Sequence, residues 1–96
     1  MTMHIEIFGK ATCPWCKKAV EVVKAAKVDY TYHIIGEDGL TRDDVQAKIK
    51  DTGSDAVLKT VPQIIETETN TYIGGYTDLV NAFPWAKIAA TQLGYM

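Results

Sequence analysis

The order of apolar patterns in the first 35 residues constrains the fold more than any other feature. His4–Phe8 alternates and is rich in Ile, the pattern of a strand. From Cys13 to about Lys27, the residues Cys16, Ala19, Val20, Val23 and Ala26 recur at helical spacing. Pro14 suits the first helical position, where its missing N–H is not needed. Tyr30–Ile35 is strand-like again, with aromatic and β-branched residues. Strand, helix and strand in this order imply a right-handed βαβ unit with parallel strands.

The rest of the chain completes one layered domain spanning residues 1–96. Gly36-Glu37-Asp38-Gly39 is a turn. Thr41-Arg42-Asp43-Asp44 resembles a capping box with Asp in place of Glu, so Thr41 caps a second helix running to about Thr52 and ended by Gly53. Leu40 and Val45 are spaced as a hydrophobic staple, and Val45 and Ile49 are the helix's strong core anchors. Gln63–Ile65 and Tyr72–Ile73 flank a polar turn and predict a hairpin. A last helix is expected from about Asp78, with Leu79, Phe83, Ala86, Ala90 and Leu93 on one face. Pro84 must kink or split it near Phe83. The expectation is an α/β fold of order β-α-β-α-β-β-α, a four-stranded mixed sheet flanked by three helices.

Charge excludes some functions. A net charge of −2 lacks the basic excess of a dedicated nucleic-acid binder. No segment approaches the roughly 20 apolar residues of a membrane span, and the first residues show no secretory pattern. The expected setting is the cytoplasm, and the expected state is a monomer with no membrane partner. Charge is unevenly distributed: Lys10–Lys27 holds five lysines and one glutamate, whereas Asp29–Asp55 holds seven acids and three bases. These are either solvated faces or, for the basic stretch, a surface toward an anionic substrate.

Two cysteines are present, at positions 13 and 16. A structural bridge closing so small a loop adds little stability, and in a reducing compartment such a pair is redox-active or binds metal. Across one helical turn their Cα atoms lie about 5 Å apart, within the range a disulfide requires. A first cysteine at a helix start, with Lys10 and Lys17 nearby, is expected to ionise readily and attack. Cys16, more buried, is expected to resolve. Two competing readings are buried core cysteines and a zinc site completed by His4 and His33, although zinc knuckles pair two such motifs and this chain has one.

Cys13-Pro14-Trp15-Cys16 after a strand, Thr60-Val61-Pro62-Gln63-Ile64, and Gly74-Gly75-Tyr76-Thr77-Asp78-Leu79 together resemble the dithiol glutaredoxins, from Ile5 to about Leu79. The resemblance implies a thioredoxin-like fold and a glutathione-dependent thiol–disulfide oxidoreductase. Its substrates would be protein disulfides and glutathionylated proteins, with glutathione as reductant and no metal. It implies a cis Val61–Pro62 bond and catalytic Cys13 and Cys16. It also implies a glutathione site formed by Lys10, Trp15, Thr60, Val61, Pro62, Gly75, Tyr76, Thr77 and Asp78. In that site Val61 pairs with the cysteinyl backbone, the helix start and Asp78 take the γ-glutamyl end, and Lys10 takes the glycyl carboxylate, with Gln46 a weaker candidate beside it. Trp15 stands where tyrosine is commoner, and the segment Ser54–Val57 is longer than the pattern. Two rival functions are a thioredoxin-like reductant recycled by a flavoenzyme, which would lack the glutathione site, and an iron–sulfur module, which usually has Gly or Ser at the position of Pro14.

Overall fold

The structure, a computed structural model, describes residues 3–95. Met1, Thr2 and Met96 lie outside the described residues, and with them part of the reading of the chain's start and of the 1–96 span. Four strands and four helices follow in the order β1 (His4–Gly9), α1 (Pro14–Ala25), β2 (Asp29–Ile34), α2 (Arg42–Asp51), β3 (Gln63–Glu66), β4 (Thr71–Gly74), α3 (Tyr76–Ala82) and α4 (Pro84–Gln92). The sheet order is β2-β1-β3-β4. β1 runs parallel to β2, pairing His4 with Asp29 through Gly9 with Ile34, and antiparallel to β3. β3 and β4 are antiparallel, with a register shift at Ile64/Ile65.

Strand alternation splits the core into two layers. Ile5 and Ile7 of β1 and Ile64 of β3 face α1, α3 and α4, packing with Ala19, Val22, Val23, Leu79, Ala86 and Ala90. Phe8 and Ile65, their neighbours in sequence, point to the opposite face and pack with Val45 and Ile49 of α2 and with Leu58. The mixed four-stranded sheet with helices on both faces is thus present. β1 is covered on both sides, so its C-terminal end is a rigid platform for whatever follows Gly9.

Local chemistry explains the element ends. The Thr41 hydroxyl accepts from Asp44 N–H at 3.1 Å, and the Asp44 carboxylate accepts from Thr41 N–H at 2.9 Å, which closes the capping box. The backbone N–H and the hydroxyl of Thr41 hold the Asp44 carboxyl below its ordinary pKa. Gly53, at φ 89, ends α2 in the left-handed conformation that glycine adopts freely. Glu66 is almost fully buried, yet its carboxylate accepts from the N–H groups of His4, Glu68 and Thr69 and from the Thr69 hydroxyl. It therefore binds the β3–β4 turn to the start of β1.

The helix count differs from the expected three. Phe83 adopts an extended conformation (φ −127°, ψ 126°) and Pro84 opens a new helix. A residue before proline is driven out of the helical region, and proline has no N–H to continue the ladder. The C-terminal helix therefore divides at Phe83, as Pro84 required. It also starts earlier than expected, with Gly75 as cap and Tyr76 as first helical residue. Leu79, Ala86 and Ala90 are buried as expected, but Leu93, beyond the last helical residue, is 39% exposed.

Candidate active site

The chain turns through residues 10–12 after β1 and enters α1 with Cys13 as the capping residue, in an extended conformation. The Cys13 N–H donates to the Lys10 carbonyl at 3.3 Å. Cys13 Sγ in turn accepts from the Cys16 N–H at 3.2 Å. A Ser or Asp oxygen would make the same bond at a helix start. Here sulfur takes the cap position, where unpaired N–H groups and the helix dipole favour negative charge. Cys13 is partly exposed, and its Sγ lies 3.8 Å from the Val61 carbonyl oxygen. The Val61–Pro62 bond is cis.

Cys16, one turn on, has no solvent exposure. Both thiols are unbridged. Burial and the neighbouring Cys13 push the Cys16 thiol up to about 11, against the opposing pull of the Lys10 N–H and the Tyr32 hydroxyl. Room for this sulfur comes from Gly9. A Cβ there would lie 2.5 Å from Cys16 Sγ and 3.1 Å from Tyr32 Cε1, inside van der Waals contact. The Tyr32 hydroxyl donates to the Lys10 carbonyl at 2.7 Å, tying β2 to the turn before Cys13.

Two shallow grooves meet at Thr60 and Val61. One is lined by Trp15, Thr60, Val61, Pro62, Gly75, Tyr76, Thr77 and Asp78. These are the expected glutathione contacts save one, gathered from three separate parts of the chain. Trp15 is 52% exposed; its ring meets Tyr76 at 5.4 Å, and Lys18 Nζ lies 4.4 Å from its centroid. The Asp78 carboxylate accepts from Gly75 N–H at 2.9 Å. Gly74, at φ 117, leaves the space that this carboxylate fills. The missing member, Lys10, lines the second groove with Ile35, Arg42, Leu58, Lys59, Thr60 and Val61. That groove brings three cationic side chains together.

Gln46 does not belong to either groove. Its side chain donates to the Ala56 carbonyl at 2.9 Å and accepts from Leu58 N–H at 2.7 Å. The long Ser54–Val57 segment has no strand partner, and a buried backbone group needs one; Gln46 supplies it. Arg42, whose guanidinium donates to the Leu58 carbonyl at 3.0 Å, occupies the groove instead. His4 and His33 bond to Thr31 and Glu6. Among the described residues no cluster of three metal-ligating side chains forms.

A family model described as Glutaredoxin matches residues 5–68, more than half of the chain. The chain belongs to the glutaredoxin family. It is 32% identical to Glutaredoxin 1 of Escherichia coli over 90 residues, covering 88% of this chain and 94% of the relative. It is 36% identical to a glutaredoxin of Haemophilus influenzae over 81 residues, covering 79% and 85%. Among solved structures, oxidised E. coli glutaredoxin superposes with a TM-score of 0.61 at 32% identity, covering 82% of this chain and 91% of that one. Glutaredoxin 1 from Francisella tularensis gives 0.65 at 23% identity over 99% and 100%, a likeness of fold. The glutaredoxin fold is thioredoxin-like, and the chemistry of the family is thiol–disulfide exchange at a Cys-X-X-Cys pair. Cys13 and Cys16 are that pair in this glutaredoxin.

Three residues of the site carry no motif. Gly9 looks like a loop residue, Tyr32 like a strand aromatic and Arg42 like part of a helix start. Each acts through contacts across the fold, and local spacing does not register them.

Proposed function

We propose that this glutaredoxin uses glutathione to reduce protein–glutathione mixed disulfides and protein disulfides, with Cys13 as nucleophile and Cys16 as resolving thiol. The observation that carries this reading is the position of Cys13 Sγ. It caps α1, accepts the Cys16 N–H and faces the Val61 carbonyl where the two grooves meet. Cys16, enclosed and held protonated at neutral pH, suits the second step rather than the first.

In the first step Cys13 sulfur attacks the glutathione sulfur of a mixed disulfide. The protein thiolate leaves and takes up a proton, and Cys13 is glutathionylated. A second glutathione thiolate attacks the glutathione sulfur bound to Cys13, forming glutathione disulfide as the Cys13 thiolate leaves. For a protein disulfide, Cys13 instead forms a mixed disulfide with the target. Cys16, losing its proton, attacks Cys13 Sγ and expels the reduced target, leaving the Cys13–Cys16 disulfide for two glutathiones to reduce.

The grooves suit the two ends of an extended tripeptide. Val61 offers its backbone to the cysteinyl residue in the manner of an added strand. Backbone N–H groups near Tyr76 and Thr77 and the exposed Asp78 carboxylate match the γ-glutamyl carboxylate and ammonium. Lys10, with Arg42 and Lys59 beside it, matches the glycyl carboxylate.

A coupled assay with glutathione, glutathione reductase and a glutathionylated peptide tests the proposal. Sustained turnover by the wild type and by Cys16→Ser is expected, with none from Cys13→Ser. Turnover by Cys13→Ser, or a wild type inert with glutathione, refutes it.

A further inference from the structure

Cys16 presents a chemical difficulty that the pair by itself does not resolve. To attack Cys13 Sγ it must become a thiolate, yet it is fully enclosed. The side chains facing it are Cys13, at the start of its own helix, and Tyr32, from β2; the Lys10 N–H faces it from the intervening turn. Glu37, beyond the end of β2, acts on Tyr32.

Tyr32 is fixed in this position from two directions. Its ring edge stands over Gly9, where Cys16 Sγ also converges. Its hydroxyl is anchored on the Lys10 carbonyl at 2.7 Å, the same oxygen that accepts the Cys13 N–H. The phenolic proton is held by the Lys10 carbonyl, while the hydroxyl also favours the ionised form of the Cys16 thiol that shares the space over Gly9.

We propose that Tyr32 is a positioning residue for the resolving step, its hydroxyl turning from the Lys10 carbonyl to Cys16 Sγ as the thiolate forms. The inference rests on Cys16 being the resolving thiol. In that step the Cys16 thiolate attacks Cys13 Sγ of the mixed disulfide, and the Cys13–Cys16 bond forms as the Cys13–target bond breaks. The cysteine pair is oxidised and the target reduced, and the proton that Cys16 released balances the one the target thiolate takes up. Tyr32 neither gains nor loses a proton overall. Burial and the Cys16 charge raise its phenol to about 12, so at neutral pH it is a donor and not a base. The hydroxyl also draws the Cys16 thiol toward ionisation, opposing the effect of burial.

The test is Tyr32→Phe, which keeps the ring over Gly9 and removes only the hydroxyl. In single-turnover kinetics with a protein disulfide, release of the target from the Cys13 mixed disulfide should slow by about ten-fold, the weight of one hydrogen bond to a charged group. Turnover of a glutathionylated peptide, which does not use Cys16, should fall by less than the release step does. In a Cys13→Ser background, the Cys16 ¹³Cβ resonance should titrate at higher pH once the hydroxyl is gone. 3-Fluorotyrosine at position 32, a stronger donor of nearly the same shape, should move that titration the other way and speed release; it decides the matter if Tyr32→Phe does not fold. An unmoved Cys16 titration in these variants, or equal loss in both reactions, overturns the inference. A wild type that turns over the glutathionylated peptide but never forms the Cys13–Cys16 disulfide would instead defeat the assignment of Cys16.

Discussion

The two sulfurs of the active site are three residues apart and occupy opposite surroundings. Cys13 caps a helix, is partly exposed and lies 3.8 Å from the carbonyl of Val61, the residue at which the two grooves meet. Cys16 is sealed beneath Gly9 and Tyr32, and its thiol is pushed up to about 11. One turn of helix thus gives the same side chain an open setting and an enclosed one. The sharpest way to break this contrast is to remove each sulfur in turn. Cys13→Ser should lower turnover of a glutathionylated peptide by on the order of a thousand-fold or more, since the buried Cys16 cannot take its place. Cys16→Ser should stay within roughly a few-fold of wild type in that assay and lose the protein-disulfide reaction. Equal losses from the two substitutions would mean that the sulfurs share one role.

The enclosure of Cys16 depends on a missing side chain. Gly9→Ala would place a Cβ 2.5 Å from Cys16 Sγ and 3.0 Å from its Cβ. Both residues are buried, so the helix start or β1 must shift. A loss of about 1–3 kcal/mol, the ordinary range for overpacking a core, is expected from urea denaturation of the reduced protein. Because Cys16 moves with α1, the protein-disulfide reaction should suffer more than the glutathionylated-peptide reaction. An unchanged midpoint would show that the sulfur has room to spare.

This contrast also divides what the sequence makes legible from what it hides. Cys13 and Cys16 are readable as a redox pair because a three-residue spacing at one helix start fixes their geometry. Thr60–Pro62 and Gly75–Asp78 are readable as contiguous runs, and the fold brings both to one groove with Trp15. The division of the last helix follows from Pro84 alone. What escapes is whatever depends on juxtaposition. Gly9 matters because Cys16 sits over it, and Tyr32 matters because β2 pairs parallel with β1 and brings its ring beside that glycine. Gln46 is the instructive failure: it occupies a plausible position on α2, but the backbone of an unpaired segment claims both ends of its amide.

Alkaline pH should separate the reduced from the oxidised protein. Cys16 and Tyr32 both have folded pKa values above their ordinary ones, about 11 against 9.0 and about 12 against 10.0. The unfolded chain therefore releases these protons first. The stability tied to Cys16 is whole below pH 9 and is lost as pH rises through 11; that tied to Tyr32 is lost between 10 and 12. Each proton contributes a slope of up to about 1.4 kcal/mol per pH unit. The disulfide form has no Cys16 thiol to titrate, so its decline should begin near pH 10, one unit later than in the dithiol form. Denaturation midpoints across pH 8 to 11 in the two redox states read this directly. Parallel curves would mean that Cys16 ionises as easily folded as unfolded.

The smallest expected effects concern the groove on the Lys10 side of Val61, which Cys16 does not line. Lys10, Arg42 and Lys59 meet there, and all three are exposed. A solvent-exposed charge contact contributes about 0.2–1 kcal/mol, so Lys10→Ala or Arg42→Ala should each raise the KM for glutathione by roughly two- to five-fold with little change in kcat. Added salt should erode the wild-type advantage, because such contacts are screened within about 10 Å at 0.1 M ionic strength. Gln46→Ala is the control that sharpens the comparison. It breaks two bonds to the Ala56–Leu58 backbone and should lower stability while leaving the KM alone. Should Gln46→Ala raise the KM as much as Arg42→Ala without loss of stability, the groove would bind its carboxylate through α2's amide rather than through its arginine.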